Sequence, residues 1–176
     1  FNDTTDFLTF KNRPGSTTSE LVTTQVFRDV SAWYHLVVVL DTSNATAANR
    51  DIIYINGVRE TEFTLENHSG DGDVCYINSN GNPTKIGKGN SASFFDGYMA
   101  EVNFIDGQAL AASDFGEFDE DSGIWKPIDA SGLTFGNNGF YLDFKDSANL
   151  GNDANGGTDL TESGLAAIDQ STDTCT

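Results

Sequence analysis

The dipeptide Asn56-Gly57 constrains this chain more tightly than any other feature. Both residues accept positive φ, so together they form the tight turn whose twist matches two paired antiparallel strands. Ahead of the turn, residues 51–56 alternate, with Ile53 and Ile55 on one face and Ile52 and Tyr54 on the other. The preceding run, residues 34–41, is almost continuously apolar and predicts a strand in the middle of a sheet. A small polar loop, residues 42–50, joins the two, and the hairpin continues through residues 58–65.

The rest of the chain repeats this grammar. Residues 6–10, 20–28, 97–105 and 139–144 read as strands, with a brief one near 74–77 and a strand end at 85–89. Arg13-Pro14-Gly15-Ser16 reads as a turn, and residues 109–115 supply one short helix. Strands following one another without long intervening helices exclude a parallel α/β sheet. What remains is an all-β antiparallel sandwich of the jelly-roll type. Residues 1–146 are expected to form this domain. Residues 147–176, rich in Gly, Asn, Asp and Thr, are expected to be a polar tail or linker.

At 176 residues the chain suits one well-buried domain. Its net charge of −18 repels phosphate backbones and anionic lipid, which excludes nucleic acid as a partner. The acidity is read as solubility in a salty medium, where screening mutes self-repulsion. No apolar run reaches the ~20 residues needed to span a bilayer, so membrane insertion is not expected. Cys75 and Cys175 are too few for a disulfide framework and are read as free thiols. Sequons at Asn2, Asn44 and Asn67 carry little weight in a chain so rich in Asn, Ser and Thr. The chain opens on Phe1 rather than Met and is read as a piece of a longer polypeptide.

Few residues suggest chemistry. His35 lies in the apolar run and is read as a packed residue, and His68 as solvated in a mobile loop. No Ser/His/Asp grouping, phosphate loop or zinc pattern can be assembled. Asp119-Glu120-Asp121-Ser122-Gly123 has the Asp-x-Asp-x-Gly order in which a turn can gather oxygen ligands, making Asp119 and Asp121 candidate calcium ligands. Asp71-Gly72-Asp73 and Asp153-Ala154-Asn155-Gly156 are weaker versions. Phe94, Phe95, Tyr98 and Trp125 flank turns, where an aromatic face either is buried or can stack on a sugar ring. The other aromatic side chains are assigned to the core.

The segments 33–39 and 53–58, followed by 86–89, 95–102 and 106–110, resemble a laminin-G-like, concanavalin A-like jelly roll. Phe104 to Gln108, Phe115-Gly116, Trp125-Lys126-Pro127 and residues 138–144 resemble the version found in virion proteins of tailed phages, especially from marine and cyanobacterial hosts. The resemblance spans roughly residues 23–155. It implies one or two strands before Phe7 that this chain lacks, and it strengthens the calcium expectation. Hydrolases on this fold carry Glu-x-Asp-x-x-Glu on one strand. The nearest run here is Glu117-Phe118-Asp119-Glu120-Asp121-Ser122, which ends in Ser and is expected in a loop. Glu101 and Asp106 are five apart and would face opposite sides of an unbroken strand.

The resemblance therefore implies a non-enzymatic module on the virion surface, in a tail fibre, spike or capsid decoration. It would be displayed as a homo-oligomer among other virion proteins and would adhere weakly to host-surface glycans. Two alternatives stand beside it. One is a depolymerase of envelope polysaccharide using Glu101 or Glu117, and the other a purely architectural subunit.

Overall fold

The computed structural model describes residues 6–12, 18–89 and 93–171. The turn expected at residues 13–16, the sequon at Asn2 and Cys175 lie outside them. The strands are β1 (Phe7–Asn12), β2 (Ser19–Val26), β3 (Leu36–Leu40), β4 (Asp51–Ile55), β5 (Val58–Arg59), β6 (Phe63–Asn67), β7 (Val102–Phe104), β8 (Gly116–Phe118), β9 (Trp125–Pro127) and β10 (Phe140–Leu142). All their pairings are antiparallel, and the only helical elements among the described residues are three-residue 3-10 turns. The short helix expected at 109–115 is one of these, Ala112–Asp114. No helix is long and apolar enough to cross a membrane among the described residues. The chain divides into two compact units, residues 1–82 with 109–127, and residues 83–108 with 128–176.

The first unit contains the sheets β1-β2-β6, β3-β4-β5 and β8-β9. Leu21 of β2 meets Ile53 and Ile55 of β4 in its core, and Leu8, Phe10, Phe27, Leu36 and Phe63 pack around them. Each of the three central side chains contributes roughly 1.5–3 kcal/mol by leaving water. The expected alternation in β4 is observed, with Asp51, Ile53 and Ile55 buried and Ile52 and Tyr54 on the other face. Asn56 and Gly57 form the turn at φ 48° and 78°.

Beyond that turn the hairpin is shorter than expected. β5 holds only two residues, after which the Glu60 carboxylate accepts the backbone N–H groups of Thr61 and Glu62 at 2.9 and 2.8 Å. This bend carries the chain from one sheet to the other, where β6 pairs with β2.

β3 corrects another expectation, because among the described residues it is an outer strand of its sheet and pairs only with β4. Its continuous apolarity reflects packing on both faces, with Val38 left exposed, and packing on the faces is independent of hydrogen bonding along the edges. Leu36 packs on the core, while Val39 is buried on the opposite face. Residues 74–77 are not a strand; Val74, Tyr76 and Ile77 are exposed.

In the second unit β7 pairs with β10, and Phe104 stacks on Phe140 at 5.4 Å between ring centroids. The strand expected at 97–105 is cut short because Glu101 adopts the left-handed conformation, φ 51°. Residues 149–159, within the stretch expected to be a polar tail or linker, are bound to β10. The buried Asp153 carboxylate accepts the Tyr141 N–H at 2.9 Å, Ala154 N–H donates to the Tyr141 carbonyl at 2.8 Å, and Leu150 is buried.

Candidate carbohydrate-binding surfaces

The four aromatic candidates divide between the two units. Phe94, Phe95 and Tyr98 belong to the second; Gly89 N–H donates to the Ser93 carbonyl and Phe95 N–H to the Gly87 carbonyl, both at 2.8 Å, and Tyr98 lies three residues further on. Phe94 is 68% exposed and Tyr98 74%. Phe95 is exposed too, its ring lying against Gly97. The Lys88 ammonium stands 5.1 Å from the centre of the Phe94 ring, a cation–π contact. Ile86 and Met99 extend this apolar ledge. Several large aromatic side chains left in water within one short segment suit a contact surface.

Trp125 belongs to the first unit and is half-buried. Its indole packs across the Asn56-Gly57 turn and β8, with Phe118 edge-on at 4.9 Å and His35 at 5.7 Å between ring centroids. Both contacts with the backbone require glycine. A Cβ on Gly57 would lie 2.1 Å from the indole, and one on Gly116 would lie 2.5 Å from it. The indole N–H is buried without a hydrogen-bond partner. His35 is likewise enclosed, and burial pushes its imidazole pKa down.

Trp125 also lines an open groove on the outer face of β4, the face of Ile52 and Tyr54. One lobe, about 380 Å³, is lined by Tyr54, Ser113, Glu117, Phe118 and Trp125. The second, about 280 Å³, is lined by Asp41, Asn44, Asn49, Ile52 and Arg59. Tyr54 and Ala111 border both. The sequence reading missed this groove, since Asn44 and Asn49 come from the loop 42–50, whose composition signals only a connection, and its other polar side chains are scattered from Asp41 to Glu117.

Of the two calcium candidates, Asp119 is engaged within its own turn. Asp119 Oδ1 accepts the N–H groups of Asp121 and Ser122 at 3.2 and 2.9 Å and the Ser122 hydroxyl at 2.9 Å. Its Oδ2 faces the Lys126 ammonium at 3.2 Å. The Ser122 bonds, then Lys126, hold the Asp119 pKa down at about 2. Asp119 thus closes its own turn through Oδ1 and pairs with Lys126 through Oδ2. Asp73 similarly accepts Gly70 N–H at 2.6 Å, and Asp153 is taken by Tyr141, Asn155 and Gly157 N–H groups. Among the described residues no three His, Cys, Asp or Glu side chains gather as a metal site.

The run 117–122, expected in a loop, begins in a hairpin in which Glu117 pairs with Lys126 at 3.3 Å. A general acid in glycoside hydrolysis needs a raised pKa, whereas Asp119 is lowered. In the second unit Glu101 accepts a short hydrogen bond from the Tyr141 hydroxyl, and Asp106 accepts Asn138 N–H at 3.1 Å. Burial, then the Glu101 carboxylate, push the Tyr141 pKa up.

One grouping appears that the sequence did not suggest. Asp51, 1% exposed, accepts the Ser69 N–H at 2.5 Å and the Ser69 hydroxyl at 2.8 Å. His68, expected to be solvated, has a side chain only 14% exposed and lies 3.7 Å from Asp51 and 3.0 Å from Glu66. The three residue types of a hydrolytic triad are present, but the hydroxyl bonds the carboxylate rather than the imidazole and is itself buried. Asn12, Ser19 and Cys75 complete the network at 3.0–3.4 Å, so its role is to join β1, β2 and β4 at one end. Burial raises the Cys75 thiol pKa, keeping it protonated.

Comparison with known proteins agrees with the sandwich. Residues 1–114 match the Laminin_G_3 model, described as the concanavalin A-like lectin/glucanases superfamily. No curated protein and no solved structure matches the chain. The matched span holds the ledge and the polar lobe of the groove, while Trp125 and the Asp119 turn lie beyond it. The chain thus belongs to the Laminin_G_3 family of the concanavalin A-like lectin/glucanases superfamily.

Proposed function

We propose that this chain is a non-enzymatic carbohydrate-binding module displayed in several copies on the surface of a phage particle, where it adheres to host glycans. The observation that carries the reading is the ledge of Phe94, Phe95 and Tyr98, three aromatic rings left in water in one short segment. Such faces stack against the C–H face of a pyranose. Membership of a lectin-containing superfamily supports carbohydrate as the ligand. The committed carboxylates of Glu101, Glu117 and Asp119 favour binding over hydrolysis. The resemblance of residues 104–144 to phage proteins supports the virion setting. A single ledge would bind in the millimolar range, and repetition on the particle would raise the effective affinity.

A glycan array probed with the intact chain tests the first half. Binding should fall at least tenfold in Phe94→Ala and Tyr98→Ala while their melting curves match the wild type. An array without signal would overturn adhesion and favour an architectural subunit, and release of reducing ends would favour a depolymerase. Mass spectrometry and antibody labelling of purified particles test the second half, and failure to find the chain there overturns it.

A further inference from the structure

The geometry points to a second carbohydrate subsite, separate from the aromatic ledge: the groove on the outer face of β4 receives an uncharged oligosaccharide. This deepens the carbohydrate reading above and rests on it. Tyr54 and Ala111 border both lobes, so a linear ligand longer than one sugar and lying across them would reach both.

Their chemistry is complementary. The larger lobe offers aromatic surface, Phe118 exposed and Trp125 wedged at its floor, beside the Ser113 hydroxyl. The smaller offers hydrogen-bonding groups of both polarities from Asp41, Asn44, Asn49 and Arg59. Sugar hydroxyls both donate and accept, and mixed amide, carboxylate and guanidinium groups suit them.

These polar groups are also held in place. Asp41 Oδ1 accepts the Ser43 N–H and hydroxyl, Asn44 Oδ1 accepts Thr46 N–H, and Asn49 Oδ1 accepts from Arg59. One atom of each side chain thus fixes the loop, and the other, Asp41 Oδ2 or the Nδ2 groups of Asn44 and Asn49, makes no hydrogen bond among the described residues. Arg50 fastens the loop further, donating to the Asn44 carbonyl at 2.8 Å and the Ser69 carbonyl at 3.2 Å. Groups ordered before the ligand arrives need not lose that freedom on binding. The carboxylates of Asp41 and Glu117 in the groove, within a chain of net charge −18, select against anionic sugars.

The test is an NMR titration of the intact chain with linear glucose oligomers of one to six units, linear galactose oligomers, and galacturonate hexamer as the anionic counterpart. The expected result is perturbation of the Asn44 and Asn49 side-chain amides and the Trp125 indole N–H by a neutral oligomer. The hexamer should bind at least tenfold more tightly than the monomer, and galacturonate should have no effect. Asn44→Ala, whose fold is checked by its amide spectrum, should weaken the hexamer at least fivefold. Perturbation confined to Phe94, Phe95 and Tyr98 overturns the groove while leaving the carbohydrate reading intact. No perturbation by any neutral oligomer, together with a blank glycan array, overturns both. A preference for galacturonate overturns the ligand class.

Discussion

The Trp125 indole lies so close to Gly57 that a single added carbon there would sit 2.1 Å from it. The glycine that makes the tight turn is therefore also the floor on which the β8-β9 hairpin rests. Gly57→Ala should cost roughly 2–4 kcal/mol, combining left-handed backbone strain with overpacking against the ring. Gly123→Ala is the comparison, since Gly123 has φ 69° with nothing near its missing side chain, and it should cost only about 1 kcal/mol. Urea unfolding followed by tryptophan fluorescence measures both. Equal losses would show that contact with Trp125 contributes nothing.

The Asp51–Ser69 pair joins the start of β4 to the segment after β6 with both partners buried. Asp51→Ala would leave the Ser69 N–H and hydroxyl without their acceptor, and should destabilise the fold by about 2–4 kcal/mol. A double-mutant cycle with Ser69→Ala should return a coupling of roughly 1–3 kcal/mol. Strict additivity would mean that the two side chains act independently.

Burial lowers the His35 pKa below its reference of 6.5, so the unfolded chain takes up this proton first. The stability contributed by His35 is fully present above pH 6.5 and is lost as pH falls through the folded-state value. Wild-type urea midpoints should therefore drop between about pH 7.5 and about pH 5, and His35→Leu should drop less. The backbone bond from residue 35 to Asn56 Oδ1 survives this change, so the comparison isolates the imidazole. An equal drop in the variant would assign the pH dependence elsewhere.

Asp119 is held ionised by Ser122 and Lys126, with its pKa down at about 2 against a reference of 3.8. Its contribution is present above pH 3.8 and disappears as pH falls through about 2. Because its oxygens are already committed, millimolar calcium or a chelator should leave the melting temperature and glycan binding unchanged. Heat release on calcium titration, abolished by Asp119→Asn, would reverse that conclusion.

The local alphabet of this fold was legible in residues 51–57. Alternation assigned the faces of β4, and Asn56-Gly57 assigned the turn, because both depend on neighbours within a few residues. The same rules failed wherever a distant partner decided the outcome. The apolar run of β3 announced buried faces and was silent about which edge would be paired. His68 looked solvated until Asp51 and Glu66 closed around it. The spacing of Asp119 and Asp121 gave no sign that the hairpin would bring Lys126 to face Asp119 Oδ2.

By itself, then, the sequence determined the all-β class, the turn and the burial periodicity, since backbone sterics and side-chain hydrophobicity act locally. Only the tertiary structure decided which carboxylates were committed, which aromatic faces stayed in water and where a groove formed. Those properties depend on what the folded chain sets against each side chain, and composition along the chain does not encode that neighbour.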